Sequence, residues 1–242
     1  MTVLAGHFAG HLQELRRRVL LSFLAILAAS MVAYAFVEQL VRLFLAPLRA
    51  SHPEFAHLVY TNLPEAFVGY LKVALLAGLA ASFPICCHQL WLFISPGLYS
   101  HEKRVARQVV FWGTSLFAAG GAFALLVALP RALSFLLGFA DAQLVPMLRL
   151  DSYLTFVARA VLAFGLAFEI PFLMVMAIRV GFVRSHYFAK RRKYFYLAIL
   201  VLAFLLAAGD PVATLLAALP LFGLYEAGLL LGRIFGGPKP QE

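Results

Sequence analysis

The chain has 242 residues, of which 63% are hydrophobic and 13% charged, with a mean hydropathy of +0.90. An ordinary soluble domain carries roughly 45–50% apolar and about 25% charged residues, so a water-soluble fold is excluded and the chain reads as an integral membrane protein. Twenty Lys and Arg against eleven Asp and Glu give a net charge of +9, but the bases sit in short segments between apolar runs, which argues against a nucleic-acid partner and leaves the lipid bilayer as the partner of those charges.

A backbone crossing a bilayer must satisfy its own hydrogen bonds, so the charge-poor runs read as α-helices. Six appear in chain order, at about 19–38, 67–93, 107–129, 153–178, 194–209 and 212–231. Nothing between them is long enough for another domain, so residues 1–242 read as a single membrane domain. The first run follows Arg16, Arg17 and Arg18 and stays uncharged from Val19 to Val37. That is long enough to span and longer than the apolar core of a secretion signal, so it is read as a retained span. Cys86 and Cys87, in the second run, are adjacent and give no strain-free disulfide. The last two runs are short, 16 uncharged residues from Tyr194 to Gly209 and 15 from Pro211 to Tyr225. Joined through Asp210, they predict a tight helical hairpin. Pro84, Pro130, Pro171 and Pro220 each remove a backbone donor, so the bundle is expected to be bent.

Sidedness follows from the bases, because cytoplasmic loops retain Lys and Arg. Fourteen flank the runs on the N-terminal side, whereas Arg42, Arg49, Arg131 and Arg149 make four on the other. Both termini are therefore expected in the cytoplasm.

Four acids stand out. Glu14, in His11-Leu12-Gln13-Glu14-Leu15-Arg16-Arg17-Arg18, is spaced to pair with Arg18 on one helical face; the alternative is a carboxylate that receives a cationic ligand. Glu102 follows Ser100, which can cap the third helix, and lies where the helix dipole favours an acid. Two carboxylates on one membrane face can each take a guanidinium by forked hydrogen bonds. Glu169 lies ten residues before Arg179, about 15 Å into the fourth run, where an acid is costly and faces protein or water. It reads either as functional or as a structural or protonated group. Glu226 reads as a polar contact to another helix of the bundle or a partner helix. His7 and His11 have i,i+4 spacing but no third ligand, and no metal site, cofactor motif or catalytic signature is found, so no enzyme is expected.

The segment His11 to Arg18, the run Pro84-Ile85-Cys86-Cys87-His88-Gln89-Leu90-Trp91-Leu92-Phe93-Ile94-Ser95-Pro96-Gly97-Leu98-Tyr99-Ser100-His101-Glu102-Lys103-Arg104, and Ala163-Phe164-Gly165-Leu166-Ala167-Phe168-Glu169-Ile170-Pro171 together resemble TatC, the receptor subunit of the twin-arginine protein translocase. The resemblance implies an all-α, six-span protein of the bacterial inner membrane with a concave face and both ends in the cytoplasm. It also implies recognition of the twin-arginine signal peptide of folded cargo, recruitment of the single-span partners TatA and TatB, transport driven by the proton gradient, homo-oligomers within the complex, and no enzyme activity. On matching positions Glu14 and Glu102 would bind the arginine pair, with Phe93, Pro96, Leu98 and Arg104 shaping the surrounding patch. Glu169 would face the concave side, and Pro47, in the first external loop, and Asp210, at the hairpin tip, would serve assembly and transport. The chain departs from the family pattern at His88, where Tyr is usual, and at Thr214, where Gln is common; Thr214 is assigned no role.

The residues alone support the same chemistry. A ligand with two fixed positive charges beside an apolar segment needs interfacial acids and a greasy groove, which Glu14, Glu102 and Trp91-Leu92-Phe93 supply. Each Arg–carboxylate contact contributes about 1.5–3 kcal/mol, so the apolar part of the signal must supply the rest of the affinity. Two other classes remain, a proton-coupled carrier of small solutes, motivated by Glu169, and a structural membrane scaffold.

Overall fold

The computed structural model describes residues 2–53, 58–94, 103–138, 146–179, 183, 186–206 and 211–235. These residues form α1 (Thr2–Ala35), α2 (Val37–Ser51), α3 (Leu63–Ile94), α4 (Lys103–Phe123), a π-helical turn (Ala124–Ala128), α5 (Leu129–Leu137), α6 (Leu150–Arg179), α7 (Tyr187–Lys190), α8 (Arg192–Leu206) and α9 (Pro211–Phe235). The architecture is all-α, as the composition requires. Among the described residues five stretches are long and apolar enough to cross a membrane: Leu12–Ala35, Leu63–Phe93, Gln108–Leu137, Leu150–Ile178 and Thr214–Ile234. They coincide with five of the six apolar runs. The other run corresponds to α8, which has 15 residues and is as short as its sequence suggests. In the α1 window only 6% of residues are buried within the protein, so most of its Leu, Val and Phe side chains are left for lipid.

Two expectations about the run boundaries need correction. The first apolar run reads as continuous to residue 38, but α1 ends at Ala35, and the chain turns at Phe36 into a separate helix. Pro47 lies buried inside α2, a helix within the connection between the first two apolar stretches. The charges of Glu38, Arg42 and Arg49 mask a helical pattern in which Val37, Val41, Phe44 and Leu48 recur every three or four residues and are all buried. Arg131, counted among the bases that flank the runs, belongs to α5 within the third apolar stretch. Charge alone does not end a helix, since Arg is a good helix former whose long stem reaches polar surroundings.

The chain divides into two compact units, with boundaries inside α2 and α4. The first comprises Met1–Leu43 and Tyr60–Ser115 and is dominated by α1 packed on α3. Gly78 makes this approach possible, because a Cβ there would fall within 2.5 Å of the Ser30 backbone. Ser30 is buried and turns its own hydroxyl back to the Ile26 carbonyl at 2.7 Å, so it adds no unsatisfied donor to the seam. Small residues of this kind let membrane helices approach closely.

The second unit comprises Phe44–Val59 and Leu116–Glu242, with α9 packed on both α6 and α8. Gly120 lies against the backbone of Phe164 and Gly165, where a side chain would collide. The π-helical turn follows, with the Leu129 N–H donating to the Ala124 carbonyl five residues back. Pro130 comes next and has no N–H to give, so the widened turn absorbs the break that a proline imposes on a helix. On the same unit, Val59 N–H donates to Leu148 O at 3.0 Å and Leu150 N–H to Val59 O at 2.9 Å. The Tyr153 hydroxyl donates to the Phe44 carbonyl at 2.8 Å, which ties the start of α6 to α2.

Candidate functional site

The N-terminal part of α1 carries Glu14 and Arg18 one turn apart. Arg18 Nη2 donates to Glu14 Oε1 at 3.2 Å, and Arg18 Nη1 donates to Gln89 Oε1 of α3 at 3.2 Å. The two side chains are part-buried, 23% exposed for Arg18 and 32% for Glu14, so the carboxylate is held in place yet open to an approaching group. Arg18 Nε is buried with no hydrogen-bond partner among the described residues. Four residues after Gln89, and so on the same face of α3, comes the half-buried Phe93; Trp91 beside it is buried. A carboxylate, a fixed guanidinium and an aromatic helix end therefore belong to one unit.

Of the other sequence-derived positions, Pro96, Leu98, Glu102 and Asp210 lie outside the described residues. Arg104 falls in the first turn of α4. Thr214 is buried near the start of α9.

Glu169 is buried at 7% exposure in the interior of α6, two residues before Pro171. Its carboxyl lies against the Phe117 backbone, and Oε1 has no hydrogen-bond partner among the described residues. Glu226 makes the polar contact within the bundle that its sequence suggested. Arg192 of α8 donates to Glu226 Oε2 at 2.7 Å, and the Tyr196 hydroxyl donates to Oε1. Next to it Tyr225 stacks on Phe195 with ring centroids 5.3 Å apart and donates to the Phe188 carbonyl at 2.9 Å. This cluster fastens α8 to α9 and explains why so short a helix is held in place.

Gln89, which accepts from Arg18, joins this candidate site without being singled out by the sequence reading. Its signal is an amide placed one turn before Phe93, next to His88, in the mostly apolar C-terminal half of α3.

Comparison with known proteins decides the family. The profile described as Sec-independent protein translocase protein (TatC) matches residues 10–220. The chain belongs to the TatC family. TatC of Desulforapulum autotrophicum is 37% identical over 97% of this chain and 87% of its own length, and TatC of Aquifex aeolicus 35% identical over 96% of each. A crystal structure of the twin arginine translocase receptor TatC superposes with a TM-score of 0.84 at 36% identity, covering 93% of this chain and 98% of the other. A second, of TatC in the detergent DDM, gives the same score over 92% and 99%. The chain is thus a membrane component of a protein translocase and not an enzyme.

Proposed function

We propose that this TatC-family chain is the receptor that captures the twin-arginine signal peptide of folded cargo at the cytoplasmic face of the bacterial inner membrane. Six spans with both termini in the cytoplasm put Glu14 and Glu102 on that face. Phe93, Pro96, Leu98 and Arg104 would border them. TatA- and TatB-type single-span proteins and further copies of the chain would then assemble on it, with Pro47 and Asp210 serving assembly and Glu169 serving transport driven by the proton gradient.

The observation that carries the reading is that Glu14 already holds a guanidinium, that of Arg18, in a part-exposed pair. A carboxylate that accepts a guanidinium from its own chain is chemically fit to accept one from a peptide. The structural relative is a twin arginine translocase receptor, which supports the same assignment. Membership in a translocase family favours it over a small-solute carrier.

The test is crosslinking of a twin-arginine peptide to the purified protein. Glu102→Gln is expected to abolish the crosslink with the helical content unchanged. Full crosslinking in both that variant and Glu14→Gln overturns the site.

A further inference from the structure

Behind the π-helical turn lies a cavity of about 140 Å³, walled by the α4–α5 helix, α6 and α9. Its lining is almost entirely carbon, and much of the space exists because Ala128, Ala160 and Ala217 present short side chains where Phe164 and its neighbours leave a gap. The π turn contributes as well, since the extra residue in the turn moves Val127 and Ala128 out of regular helical register. One lining residue is not apolar. Arg131 stands at the edge of the cavity, exposed, and makes no hydrogen bond or ion pair with any described residue.

Two properties of this site restrict what fills it. An apolar cavity of about 150 Å³ accommodates a molecule the size of benzene, so a stretch of hydrocarbon chain fits. A partner helix, roughly 10 Å across with its side chains, does not. Arg131 lies six residues before the end of the apolar stretch Gln108–Leu137, about 9 Å along the axis. A guanidinium near the end of a membrane helix reaches the headgroup level on its long stem, and there it pairs with phosphate through two parallel donors. A free phosphate would satisfy Arg131 and leave the cavity empty, while a neutral hydrocarbon would fill the cavity and leave Arg131 unpaired.

We infer that this cavity seats one acyl chain of an anionic glycerophospholipid whose headgroup phosphate is held by Arg131. The lipid bridges three helices, α5, α6 and α9, and acts as a structural ligand of the second unit. The assignment is independent of the peptide site on α1, because it uses no residue of that site.

The test is native mass spectrometry and thermal unfolding of the full chain in detergent micelles, with phosphatidylglycerol, phosphatidylcholine or inorganic phosphate added. One phosphatidylglycerol per chain is expected to remain bound and to raise Tm, with about tenfold preference over phosphatidylcholine, whose choline cation neutralises the same phosphate and repels Arg131. Inorganic phosphate alone is expected to leave Tm unchanged. Arg131→Gln is expected to reduce phosphatidylglycerol retention to the phosphatidylcholine level, and Arg131→Lys to keep part of the preference. Ala217→Leu, which narrows the cavity, is expected to exclude both lipids, and the milder Ala217→Val to weaken both should the larger side chain prevent folding. Undiminished phosphatidylglycerol retention in Arg131→Gln, or in folded Ala217→Leu, overturns the assignment. A Tm rise with inorganic phosphate equal to that with phosphatidylglycerol overturns it too.

Discussion

Arg18 occupies Glu14: the guanidinium donates to the carboxylate at 3.2 Å while a second nitrogen is fixed by Gln89 of the neighbouring helix at 3.2 Å. The pair joins one turn of α1 to α3 and leaves the carboxylate part-exposed. A peptide guanidinium that binds Glu14 has to compete with this internal one. Arg18→Gln is therefore expected to tighten binding of a twin-arginine peptide, by at most about fivefold, because a part-exposed pair contributes about 1 kcal/mol or less. Isothermal titration with wild type and variant measures it, and weaker binding by the variant contradicts the competition.

The α1–α3 seam depends on the absence of a side chain at Gly78. Gly78→Ala places a Cβ within 2.5 Å of the Ser30 backbone, and backbone cannot rotate away as a side chain does. The substitution is expected to destabilise the fold by about 1–3 kcal/mol, the usual range for overpacking. A Tm equal to that of wild type in detergent would show that the helices separate without penalty.

At the other end of the chain Arg192 and Glu226 are 44% and 36% exposed. Their coupling is expected to be small despite the 2.7 Å separation, about 0.2–1 kcal/mol in a double-mutant cycle of Arg192→Gln and Glu226→Gln. Tyr196→Phe is expected to lower stability in the wild-type background but not in Glu226→Gln, because the hydroxyl acts through this carboxylate. Additive losses would show that it does not.

Glu169 separates stability from activity. Its buried Oε1 lacks a partner among the described residues, and burying such a group costs about 1–3 kcal/mol. Glu169→Leu is expected to leave Tm unchanged or raised, while export of a folded twin-arginine substrate is lost. A large drop in Tm would instead give this acid a structural role.

Much of this is legible from residue order alone, for identifiable reasons. Apolar runs without charge determine membrane helices because the bilayer permits no other backbone arrangement, so 63–94, 150–179 and 211–235 lie within a few residues of their expected bounds. The i,i+4 geometry of Glu14 and Arg18 is a local property of any helix, and it is present. Gln89 escapes a reading of the sequence because its contact joins residues 71 apart, which no local pattern encodes. Arg131 is misplaced by such a reading because a charge suggests the end of a helix. In the fold, the apolar face of α2 and the π turn before Pro130 keep the helices going.

The central claim is recognition of paired guanidinium groups by Glu14 of α1 and Glu102 just ahead of α4. Affinity of the purified full chain for a signal peptide with Arg-Arg, and for the same peptide with Lys-Lys, measures it directly. Lysine keeps the charge but not the fork, so the account predicts a loss of about tenfold or more for Lys-Lys in wild type, shrinking in Glu14→Gln. Equal affinity for the two peptides in wild type would contradict it.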